Sequence, residues 1–191
     1  LQQEVNKPEE IDLGSLDLNK VIGIDLGINK FAVISNGINT QTIENPTYYK
    51  KTETKIKLLQ KRLSKKQYNS KNYIKQKEKL AKAYEKIKNQ RNDFLHKQSL
   101  KLINENQVII LEDLNIKGMV KNKRLSKSIG EAAWFSFITK LKYKAKWNGK
   151  IVLQIDRFYA SSKTCNICKD KNIMLTLNER SWVCNKCGTV H

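Results

Sequence analysis

Residues that break helices are scarce in this sequence. It holds two prolines and eight glycines in 191 residues, and neither type occurs between Pro46 and Gly118. No apolar run approaches the ~20 residues that a membrane helix needs, and no signal peptide opens the chain. A basic helix with an apolar Trp, Phe and Leu face, the pattern of a membrane-surface segment, is missing too, so no membrane partner is expected. Cysteine is absent before Cys165. Acids are few: 18 against 37 lysines and arginines, a formal charge of +19. Such an excess says little about fold and much about partners, because it attracts polyanions. Nucleic acid is the leading partner on charge alone. The chain opens on Leu1 and stops four residues after a cysteine pair. Both ends read as cut, and we expect a piece of a longer protein.

Residues 1–20 are polar and read as a linker, or as the remnant of an N-terminal lobe. Strand patterns follow at Val21–Ile28, Lys30–Ser35 and Ile38–Glu44, with a hairpin signal at Asn36-Gly37. A three-stranded antiparallel meander is expected, ended by Pro46. Apolar residues then recur at helical spacing, through Ile56, Leu59 and Leu63, then Ile74, Leu80, Tyr84, Ile87 and Phe94. "SKKQYNSK", 64–71, interrupts them. The stretch predicts two helices in a hairpin, an insertion at about 47–106. Between Lys50 and Arg91 it carries sixteen Lys/Arg against three Glu. A solvated helix face usually mixes charge signs. This one is nearly all positive, which favours a nucleic-acid track, and Lys61, Arg62, Lys65 and Lys66 near its tip are candidate contacts. Val108–Leu111 is a short continuous apolar run, as in a strand buried on both faces. A basic loop from Lys117 to Lys127, a helix over Gly130–Trp147 and a strand over Lys150–Asp156 complete an α/β pattern with a mixed sheet.

Two of these strands carry an acid at a comparable place: Asp25 in "GIDLG" and Glu112 in "ILEDL". An open α/β sheet brings such residues together at one end of neighbouring strands. Two close carboxylates repel unless a cation lies between them. Mg²⁺ suits hard oxygen ligands and keeps waters for substrate phosphates. Ions paired about 3.5–4 Å apart can clamp the attacking and leaving oxygens of a phosphodiester cleavage. Gly23 and Gly27, flanking Asp25, fit a close backbone approach to a ligand. A lone strand-end acid is usually structural; the coincidence of two is the signal.

All four cysteines fall in the last 27 residues, as Cys165-x₂-Cys168 and Cys184-x₂-Cys187 with fifteen residues between the pairs. Each pair can form a knuckle that aims two thiolates at one ion, and two knuckles close a tetrahedral Zn²⁺ site. Disulfides do not suit a chain without a secretory signal. A redox pair would come singly, beside a βαβ unit. Four protein ligands leave no open position, so a structural zinc is expected in a segment too short to bury a core.

Five stretches, "GIDLGINKFAVISNG", "NQRNDFLHK", "VIILEDLNIKGM", "DRFYASSKTCNICK" and "WVCNKCGTVH", together resemble the TnpB proteins of bacterial insertion sequences. These are RNA-guided DNA nucleases related to type V CRISPR effectors. The likeness runs from about Val21 to His191, in order. It implies an RNase H-like (RuvC) nuclease domain over 21–157, a zinc ribbon over 158–191, and a bacterial or phage-like cytoplasmic setting. It places the first two catalytic, Mg²⁺-binding carboxylates on Asp25 and Glu112 and the zinc ligands on Cys165, Cys168, Cys184 and Cys187. It also implies guide RNA and DNA as partners, with Arg157 and Lys163 as further candidate contacts near the ribbon. The family has a third catalytic aspartate just past the ribbon, so this polypeptide is expected to lack it. Asp156 matches no catalytic position of the family. Two readings therefore stand beside the nuclease one: a zinc-stabilised module that binds nucleic acid without cutting it, and a decayed transposon remnant. Trp182 and Tyr159 suit base stacking, or knuckle packing.

Overall fold

The structure, a computed structural model, describes residues 13–156, 163–176, 179 and 181–191. The chain divides into two units, Leu1–Ile155 and Asp156–His191. The first is built on a five-stranded mixed sheet in the order β3-β2-β1-β4-β5. Strands β1 (Val21–Leu26), β2 (Lys30–Ser35) and β3 (Thr40–Glu44) form the antiparallel meander. Strands β4 (Val108–Glu112) and β5 (Ile151–Ile155) add in parallel beyond β1. Between β3 and β4 lie α1 (Tyr48–Ser64) and α2 (Lys71–Glu105), and between β4 and β5 lie α3 (Ile116–Met119), α4 (Ser126–Ala132) and α5 (Trp134–Trp147).

One face of the sheet holds the core. Ile22 and Ile24 of β1, Ile34 of β2, and Ile109 and Leu111 of β4 pack there with Leu95, Leu102 and Ile103 of α2 and Phe137, Leu141 and Ala145 of α5. Phe31 lies at the centre, edge-on to Phe94 at 5.1 Å and to Phe137 at 5.0 Å between ring centroids. The period of two then sends Gly23, Asp25, Ile110 and Glu112 to the opposite face. There Gly23 and Asp25 are exposed, Ile110 and Glu112 are half-buried, and Leu153 of β5 is 50% exposed. A buried lysine ties the two long core helices together: Lys144 Nζ of α5 donates to His96 O and Ser99 Oγ of α2, at 2.7 and 2.8 Å.

The sequence reading placed the strands and the long helices but not α3, which lies where a basic loop was expected, and three further differences stand out. Strand β1 stops at Leu26, not Ile28, because the Gly27 amide already donates to Phe31 O across the turn, at 3.2 Å. Strand β3 starts at Thr40, not Ile38. Asn36 Oδ1 accepts from the amides of Ile38 and Asn39, at 3.1 and 2.8 Å, and winds 36–39 into a turn with Gly37 at φ 89°. The helix expected over 130–147 is two helices. Ala133 takes a left-handed conformation, φ 52°, that ends α4 and starts α5; α4 begins inside what the sequence presented as a basic loop. No helix among the described residues is long and apolar enough to cross a membrane.

The two faces of α5 make a sharp test. Phe137 is fully buried and Phe135, two residues earlier, is 73% exposed. Phe137→Ala should cost about 3–5 kcal/mol and Phe135→Ala within about 0.5 kcal/mol, read from denaturant midpoints. Equal costs would mean that α5 packs on another face.

Candidate metal centres and nucleic-acid surface

The pairing of β1 with β4 positions the two strand-end acids. Val21 pairs with Val108, Ile22 with Ile109, Gly23 with Ile110 and Ile24 with Leu111. Asp25 and Glu112 are the next residue on each strand. Paired strands run about 4.8 Å apart, and parallel partners in register point to the same face. The two acids therefore occupy neighbouring positions at the C-terminal ends of adjacent parallel strands, where open α/β sheets hold their ligands. Carboxylate oxygens are hard donors of the kind that a small divalent cation takes. Beyond them, Glu112 pairs with Ile155 of β5, and Asp156 follows one residue later.

The two glycines beside Asp25 have different reasons to be there. A Cβ on Gly27 would lie 2.8 Å from the carbonyl oxygen of Lys30, so the β1–β2 turn itself requires glycine. A Cβ on Gly23 would find only Ser35 O, at 3.9 Å. Nothing in the fold forbids a side chain at Gly23, and its bare backbone leaves the sheet face beside Asp25 open.

The second unit gathers the cysteines. Cys165 Sγ lies 3.5 Å from Cys187 Sγ, and Cys168 Sγ 3.4 Å from Cys184 Sγ. All four sulfurs lie within 4.8 Å of one another, a cluster that could hold a metal ion. The two knuckles are built alike. The Lys169 amide donates to Cys165 O and the Gly188 amide to Cys184 O, at 3.0 and 2.8 Å. Cys165 N donates to Asp170 O and Cys184 N to Thr189 O, both at 2.8 Å. Lys169, at φ 62°, adopts the left-handed turn that Gly188 adopts at φ 73°. Thr189 lies 3.2 Å from Cys187 Sγ and holds that thiol down to about 6. At Cys168 a backbone bond from Asp170 acts the same way, but burial and the neighbouring sulfurs outweigh it and push the thiol up to about 12. Crowded sulfurs that cannot all keep protons suit a site that binds thiolates.

The sequence did not single out His191. Its Nε2 lies 3.2 Å from Cys165 Sγ, and its ring stacks on Trp182 with centroids 4.6 Å apart and planes tilted by 30°. The backbones of Trp182 and His191 exchange two hydrogen bonds, at 3.0 and 2.8 Å. Trp182 is thus engaged in knuckle packing. Lys163 Nζ turns onto Ile173 O of its own loop, at 3.4 Å. Lys61 and Arg62, in the last turn of α1, and Lys65 and Lys66, in the connection to α2, are all exposed. Arg157 and Tyr159 lie outside the described residues.

Comparison with known proteins points one way. Residues 4–123 match the OrfB_IS605 family, described as "Probable transposase", and residues 134–191 match the family described as "Cas12f1-like, TNB domain". A Streptomyces pristinaespiralis protein named "Putative RNA-guided DNA endonuclease" is 37% identical over 170 residues, which cover 89% of this chain and 41% of that protein. The Escherichia coli K12 protein named "Putative RNA-guided DNA endonuclease InsQ" is 29% identical over 163 residues, 78% of this chain and 40% of that one. The chain thus spans about two-fifths of the length of these relatives. Among solved structures, the fold is similar to the protein in a Cas12f1–sgRNA–target DNA complex, with TM-score 0.61, 17% identity, and coverage of 94% of this chain and 48% of that one. A CRISPR-Cas12f ternary complex gives TM-score 0.64 and 20% identity, over 99% of this chain and 38% of that one.

The contrast between the two glycines can be measured. Gly27→Ala forces a Cβ against backbone and should destabilise by about 1–3 kcal/mol. Gly23→Ala should leave stability within about 0.5 kcal/mol. Thermal or urea unfolding of the two variants separates a turn glycine from one kept bare for other reasons.

Proposed function

Since the chain belongs to the TnpB family of insertion-sequence proteins, we propose that it is the nuclease and zinc-ribbon portion of an RNA-guided, metal-dependent DNA endonuclease. The sheet order and the two acids support an RNase H-like, RuvC-type nuclease domain. The observation that carries this reading is the register of β1 on β4, which brings Asp25 and Glu112 side by side on an open sheet face. We assign Mg²⁺ to that pair. Bound there, the metal would supply Lewis-acid stabilisation of charge on a phosphodiester. The protein's part is to hold two carboxylates on rigid strands, so that metal and scissile phosphate meet in fixed geometry. The bare backbone at Gly23 gives a sugar–phosphate strand room to approach.

We assign Zn²⁺ to Cys165, Cys168, Cys184 and Cys187. Four sulfur donors favour it over harder ions, and a closed set makes its role structural. Guide RNA and DNA are the proposed partners, with the basic hairpin of α1 and α2 supplying charge. In RNA-guided recognition, base pairing reads the sequence while protein reads backbone and shape. Lysines at Lys61, Lys65 and Lys66 and the guanidinium of Arg62 suit that task.

In the whole endonuclease carrying this chain, Asp25→Ala or Glu112→Gln should lower cleavage of guide-matched DNA by more than the roughly 10–100-fold that losing a ligand's supporting contact costs. Binding should persist, as read by gel shift beside the cleavage assay. Cleavage that survives both substitutions would remove the site assignment. Elemental analysis should find one zinc per chain. Replacing any one cysteine with serine should abolish metal retention and unfold the second unit, while the circular dichroism of the helical unit stays the same.

A further inference from the structure

At the root of the basic hairpin, α1, α2 and α4 enclose a crevice of about 380 Å³. Its walls are aromatic: Tyr49 comes from α1 and Tyr84 from α2. Its floor is Ile87, 5% exposed. Its rim carries three cations, Lys88 and Arg91 from α2 and Lys127 from α4. The one acid in the lining, Glu131, is already engaged: its Oε1 accepts from the amides of Tyr49 and Lys50, at 2.7 and 3.3 Å, at the start of α1. Its charge therefore serves the helix N-terminus.

The rings differ in availability. Tyr49 is half-buried, and Lys127 Nζ stands 4.7 Å over its ring centre while pairing with Glu53 at 2.7 Å. Tyr84 is 40% exposed, and its hydroxyl accepts from Gln60 Nε2 at 3.0 Å. A ring that lines a cavity and is held at its hydroxyl costs little further entropy when something flat lies on it. Cations at the rim alone would suit any polyanion, including an acidic peptide. The aromatic wall and apolar floor favour one with a planar face next to its charge, as a nucleotide has.

We propose that this crevice is a single-nucleotide pocket, which takes one unstacked base of a single-stranded segment against Tyr84 and its flanking phosphates on Lys88 and Arg91. The proposal rests on the reading that the chain binds nucleic acid. It adds a base-contacting site apart from the carboxylate pair and from the lysines at the hairpin tip.

The test is fluorescence anisotropy with the 191-residue chain, a labelled single-stranded oligonucleotide, and a strand of equal length and charge made of abasic residues. Tyr84→Ala should weaken binding of the normal strand by about 5- to 150-fold, the equivalent of the ~1–3 kcal/mol that one base–aromatic stack is worth. It should leave the abasic strand unaffected. Tyr84→Leu, which keeps apolar bulk on α2, should show the same selective loss, and Tyr84→Phe should bind like the parent chain. Lys88→Glu should weaken both strands equally. If Tyr84→Leu affects the two strands alike, or if poly-glutamate displaces the oligonucleotide as well as unlabelled strand does, the pocket is not a nucleotide site and only this inference falls. If the parent chain binds neither strand, the nucleic-acid reading beneath it falls as well.

Discussion

The register of β1 against β4 is the constraint on which the candidate site depends. The two strands are separated in sequence by the meander and by two long helices, and no local signal aligns them. The alignment is set at their entrances. The Gln107 amide donates to Lys20 O at 2.8 Å, Ile151 N donates to Gln107 O at 3.0 Å, and the Gln107 side chain accepts from Asp17 N at 2.9 Å. One residue thus pins the starts of three strands. Because side chains alternate, a slip by one residue would turn Ile109 and Leu111 out of the core and Glu112 into it. The burial of two large side chains and the placement of one carboxylate are therefore the same decision.

The basic hairpin is anchored by a similar economy. Glu131 on α4 accepts from the first amides of α1, and Arg91 on α2 donates to Gly130 O of α4 at 3.3 Å. Lys127 and Lys57 both pair with Glu53, whose carboxyl is held down to about 2, first by Lys127 and then by Lys57. Glu53 and Glu131 are thus engaged near the root of the hairpin, and Lys61, Arg62, Lys65 and Lys66 at its tip face solvent. Within the hairpin, Gln76 Nε2 donates to Leu59 O at 3.2 Å, so even a buried polar group there serves to join the two helices.

Much of this was legible in the sequence, and the rest was hidden for identifiable reasons. Apolar runs bounded by turn signals revealed β1 and β2, a continuous apolar run revealed β4, and cysteine spacing revealed the knuckles, because these signals are local. Asp25 and Glu112 stood out because acids interrupt apolar runs. The split between α4 and α5 was not legible: Ala133 is a good helix former, and only tertiary packing holds it in a left-handed conformation. The first knuckle was legible from its cysteines alone, since Lys169 takes there the positive φ that Gly188 takes in the second. His191 and the crevice of Tyr49 and Tyr84 are products of assembly. Their partners come from distant segments, and no spacing announces them.

The open and closed faces of the sheet have a consequence for how such a chain can change over generations. Ile22 and Ile24, which hold the fold, alternate along one strand with Gly23 and Asp25, which carry the proposed chemistry. They are neighbours in the gene, yet they face opposite sides of the sheet. A chain that loses Asp25 loses little that keeps it folded, so selection for stability alone cannot preserve the proposed site. Descendants can stay folded and basic after that acid is gone, since the residues that hold the sheet together are not the ones that would carry the chemistry.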